Sequence, residues 1–130
     1  MTTATGTDIV SVARIARIIE TRGARFLNRW FTSAEIAYCS GMAHPNRHFA
    51  ARLAAKEAVF KALPASPSGP VPWRCIEIVH DEHGAPAVRL FGPLAGVAEQ
   101  AGLGPIHVSL SHCDDFATAV AIVEDAPLVE

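Results

Sequence analysis

At 130 residues and 13.8 kDa, with half its residues hydrophobic, the chain is long enough for one core and too short for two, so a single domain over 1–130 is expected. Only 18% of residues are charged, against roughly 25% in an average soluble domain, a first hint that partner subunits cover some apolar surface. No apolar run approaches the roughly 20 residues that cross a bilayer and MTTATGTDIV lacks the regions of a signal peptide, so a cytoplasmic protein with no membrane partner is expected.

In chain order, TDIVSV (7–12) alternates as a short strand, and 14–21 continues at helical spacing through Ile15, Ile18 and Ile19. Arg14, Arg17, Arg22, Arg25 and Arg29 are opposed over this stretch only by Glu20, so the net charge of −2 conceals a basic first half. Such a stripe suits an acidic partner, protein or polyphosphate, or is an ordinary solvated helix face. Thr32 with Glu35 in FTSAEIAYC has the capping-box pattern, which starts a helix that ends before Gly41. Residues 46–63 make the strongest helix, with Asn46 as its cap, frequent alanine and a stop at Pro64. PASPSGPVP (64–72) reads as a loop. Residues 75–80 and 87–91 flank DEHGAP as a hairpin, 94–101 is a helix closed by Gly102, and 107–112 with 117–123, separated by CDDF, form a second hairpin. The class is α+β, with a mainly antiparallel sheet and a long central helix. Cys39, Cys75 and Cys113 are odd in number and contain no CxxC pair, so buried reduced thiols are expected rather than disulfides or a zinc site.

Chemistry concentrates on the long helix between Arg52 and Lys61. At 100° per residue Phe49, Leu53, Phe60 and Leu63 share one face, which must be buried, while Glu57 and Lys61 lie four apart on its border. The plain reading of that pair is a surface ion pair of small energy. Three observations count against it. Lysine occurs only at 56 and 61, against nine arginines, so its compact charge is needed there. Lys56 projects from the apolar face, where it must snorkel or find a partner. Asp8 lies in a strand, where an acidic side chain is disfavoured unless it has a task. An Asp on a strand and a Glu on a helix make a two-carboxylate site for Mg²⁺ whose remaining shell comes from phosphates and water. Asp114 and Asp115 read as turn residues. His112 ends a strand in which Ser109 and Ser111 alternate to the opposite face. With no GxSxG elbow present, the serines and histidine suit binding of a phosphate or purine better than a nucleophile pair. The other histidines lack zinc-site spacing.

GTDIVSVARI (6–15), RFLNRWFTSAEIAYC (25–39), RHFAARLAAKEAVFKAL (47–63), DEHGAPAV (81–88) and HVSLSH (107–112) together resemble the holo-acyl-carrier-protein synthase family of 4′-phosphopantetheinyl transferases, in order and approximate spacing. The resemblance implies a phosphopantetheinyl-transferase fold assembled as a homotrimer around a sheet core, with active sites between subunits. It implies an enzyme that moves the phosphopantetheine arm of coenzyme A to a serine of an apo acyl carrier protein, releasing adenosine 3′,5′-bisphosphate. By the same resemblance Asp8 and Glu57 would ligate Mg²⁺ and Lys61 would contact the diphosphate. Arg52, Ser111 and His112 would meet the 3′-phosphate and adenosine, His112 coming from a neighbouring subunit. The arginines would dock the acidic carrier, Arg14 first, then Arg17, Arg22 and Arg25, and no nucleic-acid partner is expected. Two departures from the family pattern stand out: PASPSGPVP replaces a short glycine-rich loop after the long helix, and Ser11 replaces an acidic residue. They suit a carrier of a specialised pathway such as polyketide or peptide assembly. The alternatives are a non-catalytic trimeric module that binds coenzyme A or a carrier protein, and a divalent-metal phosphohydrolase acting on a nucleotide.

Overall fold

The structure is a computed structural model, and it describes residues 3–125. Strand β1 (Thr3–Ser11) leads into helices α1 (Val12–Arg22), α2 (Ala24–Trp30), α3 (Ser33–Ser40) and the long α4 (Pro45–Ala62). A 3-10 turn at Trp73–Cys75 opens the hairpin β2 (Ile76–His80) and β3 (Pro86–Leu90). Helix α5 (Gly92–Gln100) and the hairpin β4 (Leu103–His112) and β5 (Phe116–Asp125) complete the chain. The larger sheet has the order β1-β5-β4, antiparallel throughout, and β2 pairs with β3 separately, also antiparallel. This is the α+β, antiparallel architecture that the strand and helix patterns predict.

Alanine explains how the layers meet. Ala117, Ala119, Ala121 and Val123 alternate along β5 onto the inner face of the sheet, and all are buried. Against them lies α4, whose Ala50, Ala51, Ala54, Ala55, Ala58 and Ala62 are buried too, so helix and sheet approach with little side chain between them. The approach is closest at Gly6: a β-carbon there would sit 1.9 Å from the carbonyl oxygen of Ala58. Only glycine lets β1 pass under α4 at that point.

Burial of α4 extends well beyond the single face expected, because α1, α3 and β2 cover the side away from the sheet. Phe49, Leu53 and Leu63 are buried as expected, whereas Phe60 is half-buried and packs edge-on against Trp73 at 5.5 Å. Asn46 is not the cap of α4. Pro45 takes the first helical position, where its fixed φ and missing N–H are tolerated, and His44 precedes it as the cap. Helix α2 is absent from the sequence-based expectation because RFLNRW has no side-chain cap; the break from α1 is Gly23, at φ 54°, which ends one helix and begins the next. Of the three cysteines, all free, Cys39 is buried, Cys75 half-buried and Cys113 exposed, so the core-thiol expectation holds only for the first. Among the described residues no helix is long and apolar enough to cross a membrane.

Candidate active site

Asp8 stands two residues after Gly6 on β1, opposite Ala119, and so points to the helix side of the sheet. The close pass at Gly6 brings its carboxyl to the last turns of α4, where Glu57 and Lys61 lie on one edge. Lys61 Nζ donates to Asp8 Oδ1 at 3.2 Å and to the Thr7 carbonyl at 3.1 Å. The Glu57 carboxyl lies close enough to that of Asp8 for each to shift the other's pKa. Asp8, far from Glu57 and Lys61 in the chain, is therefore in one cluster with them.

The electrostatics of the carboxyl pair are asymmetric. Burial first, then the hydrogen bond and charge of Asp8, push Glu57 up to about 7. Burial alone would raise Asp8 too, but hydrogen bonds from Glu57 and Lys61 and the lysine charge hold it below its ordinary value. A proton bridging two carboxyls occupies the place a divalent cation would take. Asp8 Oδ2 is buried with no hydrogen-bond partner. An orphaned carboxylate oxygen beside a second carboxyl, with hard oxygen donors on both, fits Mg²⁺.

Arg52 is not part of this cluster. Five residues before Glu57, it projects about 140° away around the helix, and it is 4% exposed. Its guanidinium lies over the Tyr38 ring at 4.1 Å, and its Nε has no partner. His112 joins it on that side through His48, one helical turn before Arg52: the two imidazole rings are 4.9 Å apart. Ser111 pairs with Thr118, points to the opposite, open face of the sheet and is not brought to Arg52. The carboxyl cluster and the Arg52, His48 and His112 group thus lie on different sides of α4.

Lys56 finds its partners rather than snorkelling. Fully buried, it donates to Glu35 Oε1 and the Ile76 carbonyl at 2.6 Å each and to the Trp73 carbonyl at 3.2 Å. Burial pushes its pKa down and the charge of Glu35 opposes that shift. Glu35 does form the capping box with Thr32, but it also accepts from the Ile78 amide at 3.0 Å, and Thr32 donates to Glu77 at 2.6 Å. The capping motif was legible in sequence; its role as counter-ion to a buried lysine was not.

The arginine stripe folds into a groove. Arg14, Arg22, Arg25 and Arg29 surround a cavity of about 790 Å³ between α1 and α2, floored by Ile18, Phe26 and Trp30. Arg17 lies outside it, and Arg29, absent from the expected docking set, lies inside. Arg14 is close enough to Glu57 to favour its ionised form, so the groove opens beside the carboxyl cluster.

Fold and site together define a small α+β domain with a paired-carboxyl, lysine-flanked centre next to a basic groove. A family model described as the 4′-phosphopantetheinyl transferase superfamily matches residues 4–121, and the chain belongs to that family. Its relatives include the holo-[acyl-carrier-protein] synthase of Moorella thermoacetica, 46% identical over 93% of each chain. The crystal structure of the Neisseria meningitidis synthase superimposes with a TM-score of 0.84 at 34% identity, covering 94% of this chain and 98% of that one. The ACPS–CoA complex of Chronobacterium ammoniagenes does so at 0.83 and 27%, covering 98% and 100%.

Proposed function

We propose that this chain is a holo-[acyl-carrier-protein] synthase that transfers the 4′-phosphopantetheine group of coenzyme A to a serine of an apo carrier protein. The observation that carries the reading is the Asp8, Glu57 and Lys61 cluster at the end of the arginine groove, in a chain that belongs to the transferase family. A non-catalytic module would have no use for a buried, orphaned carboxylate oxygen beside a carboxyl held near neutrality.

Asp8 and Glu57 are the residues that would hold Mg²⁺, which when bound supplies charge neutralisation at a diphosphate. Lys61, more than half exposed and tethered to Asp8 and Thr7, is free to turn toward the leaving diphosphate oxygen and stabilise charge there. Glu57, raised to about 7 by burial and by Asp8 in the metal-free protein, would give up its proton when a cation is held there. Arg14 at the groove mouth orients the acidic carrier over the cluster, with Arg22, Arg25 and Arg29 along the groove and Arg17 on its flank.

A complete site takes two copies of the chain. Arg52 and His112 lie across α4 from Glu57, so the phosphate-binding half of one subunit must serve the carboxyl half of a neighbour. The open face of the larger sheet presents Ile9, 65% exposed, with Val120 and Ile122, apolar side chains that a homotrimer would cover. The test is to incubate purified protein with coenzyme A, Mg²⁺ and several apo carrier proteins and follow carrier mass. A phosphopantetheine adduct on at least one carrier is expected; none on any would reject the transferase reading.

A further inference from the structure

Arg52 is a buried cation that forms no ion pair with a carboxylate among the described residues. On α3 it also meets Cys39, whose thiol burial pushes up to about 11, so it stays uncharged and offers no compensation. Arg52 Nε is left without a partner. Around it stand Tyr38 under the guanidinium and, half-buried one turn earlier on α4, His48. From β4 His112 meets the His48 ring at 4.9 Å, and from β2 His80 meets Tyr38 at 4.7 Å. His44 and Arg47 complete the surroundings of His48 on α4, where Asp114 is bound to Arg47; Asp81 lies beside His80 and Glu35 beside Cys39. Arg52 and Arg47 are its permanent cations, and Arg52 itself has no carboxylate partner among the described residues.

Resting on the coenzyme A reading above, we infer that His48 is a further residue of the phosphate-binding end: it takes up a proton when a phosphate seats beside Arg52, and so sets the preference for coenzyme A over its 3′-dephospho form. Burial, and then the charges of His112, Arg52, Arg47 and His44, hold His48 below the ordinary histidine range in the free protein, so near neutral pH the ring is uncharged. A phosphate dianion reverses the balance. It compensates Arg52, repays the repulsion among the cations, and draws a proton onto the imidazole that faces it. The sign follows from linkage: with the 3′-phosphate a dianion in both states the bound state holds one proton more, so coenzyme A binding tightens as pH falls from 8 toward 7, by at most about tenfold per unit, and levels off near 6 where the free phosphate takes up its own proton. The 3′-dephospho compound, without the dianion, gains nothing.

The experiment follows the assigned His48 ring resonance through a pH titration of the intact protein, alone and saturated with coenzyme A or 3′-dephospho-coenzyme A. Dissociation constants for both are measured at pH 8, 7 and 6. The expected result is a His48 midpoint at least one unit higher with coenzyme A, little change with the dephospho form, and a preference that grows as pH falls from 8 toward 7. In His48→Gln that preference should become nearly flat in pH, while His112→Gln keeps the slope. A His48 midpoint that stays put while coenzyme A binds preferentially, or an undiminished slope in His48→Gln, overturns the inference alone. Equal binding of the two compounds at every pH overturns the phosphate-end reading and the inference with it.

Discussion

Glu57 carries a prediction that separates chemistry from stability. Its carboxyl titrates at about 7 in the folded protein against an ordinary 4.5, so the folded state holds its proton more tightly than the unfolded state does. For an acid raised in this way, metal-free stability is fullest below about 4.5 and falls as pH rises through 7. Glu57→Gln removes that loss. The metal-free variant should melt a few degrees higher than the parent at pH 8 and no higher at pH 4.5, while transfer falls on the order of a hundredfold or more. Calorimetry at the two pH values and a carrier mass assay check both halves. Lys56 makes the opposite case. Lys56→Met leaves Glu35 buried without its counter-ion and should cost about 3–5 kcal/mol in denaturant unfolding. Lys56→Met combined with Glu35→Gln should recover part of the loss.

The decisive contact between elements is that of β1 with α4. Gly6→Ala places a methyl group inside the Ala58 carbonyl, which backbone cannot yield cheaply. Because Asp8 follows two residues later, the displacement moves a carboxyl of the site. The variant should lose about 1–3 kcal/mol of stability, and transfer should fall further than that loss explains, measured under conditions where the variant remains folded. On the proposed function, the α1–α2 groove receives the carrier rather than coenzyme A. Arg14→Glu should raise KM for carrier roughly tenfold or more and change KM for coenzyme A little, consistent with a reversed charge at a steering position. Equal effects on both substrates would place Arg14 elsewhere in the mechanism.

The proposal that a complete site takes two copies of the chain is tested at the scale of the whole molecule. Glu57→Gln and Arg52→Ala should each be inactive alone. Mixed and reassembled in equal amounts, they should recover about a quarter of the parental rate, because one interface in four then pairs two intact halves. No recovery after verified subunit exchange would mean that both halves act within one chain.

The amino-acid order determined the helix-rich first half, both hairpins, and the candidates Asp8, Glu57, Lys61 and His112, because periodicity, strand alternation, capping pattern and the rarity of lysine are local signals; Arg52 entered through the family resemblance alone. The tertiary structure decided which of them meet. Gly6 had to pass beneath Ala58 before Asp8 could reach Glu57, and the turn of α4 had to be fixed before Arg52 could be separated from both. Helix α2 went unread because its start is a backbone break at Gly23 rather than a capping side chain. His48, Tyr38 and His80 carry no motif, and they become a cluster only when α3, β2 and β4 close around Arg52. Sequence spacing reports neighbours along a chain, whereas a site of this kind is a property of packing, where the cost of a buried charge depends on every element around it.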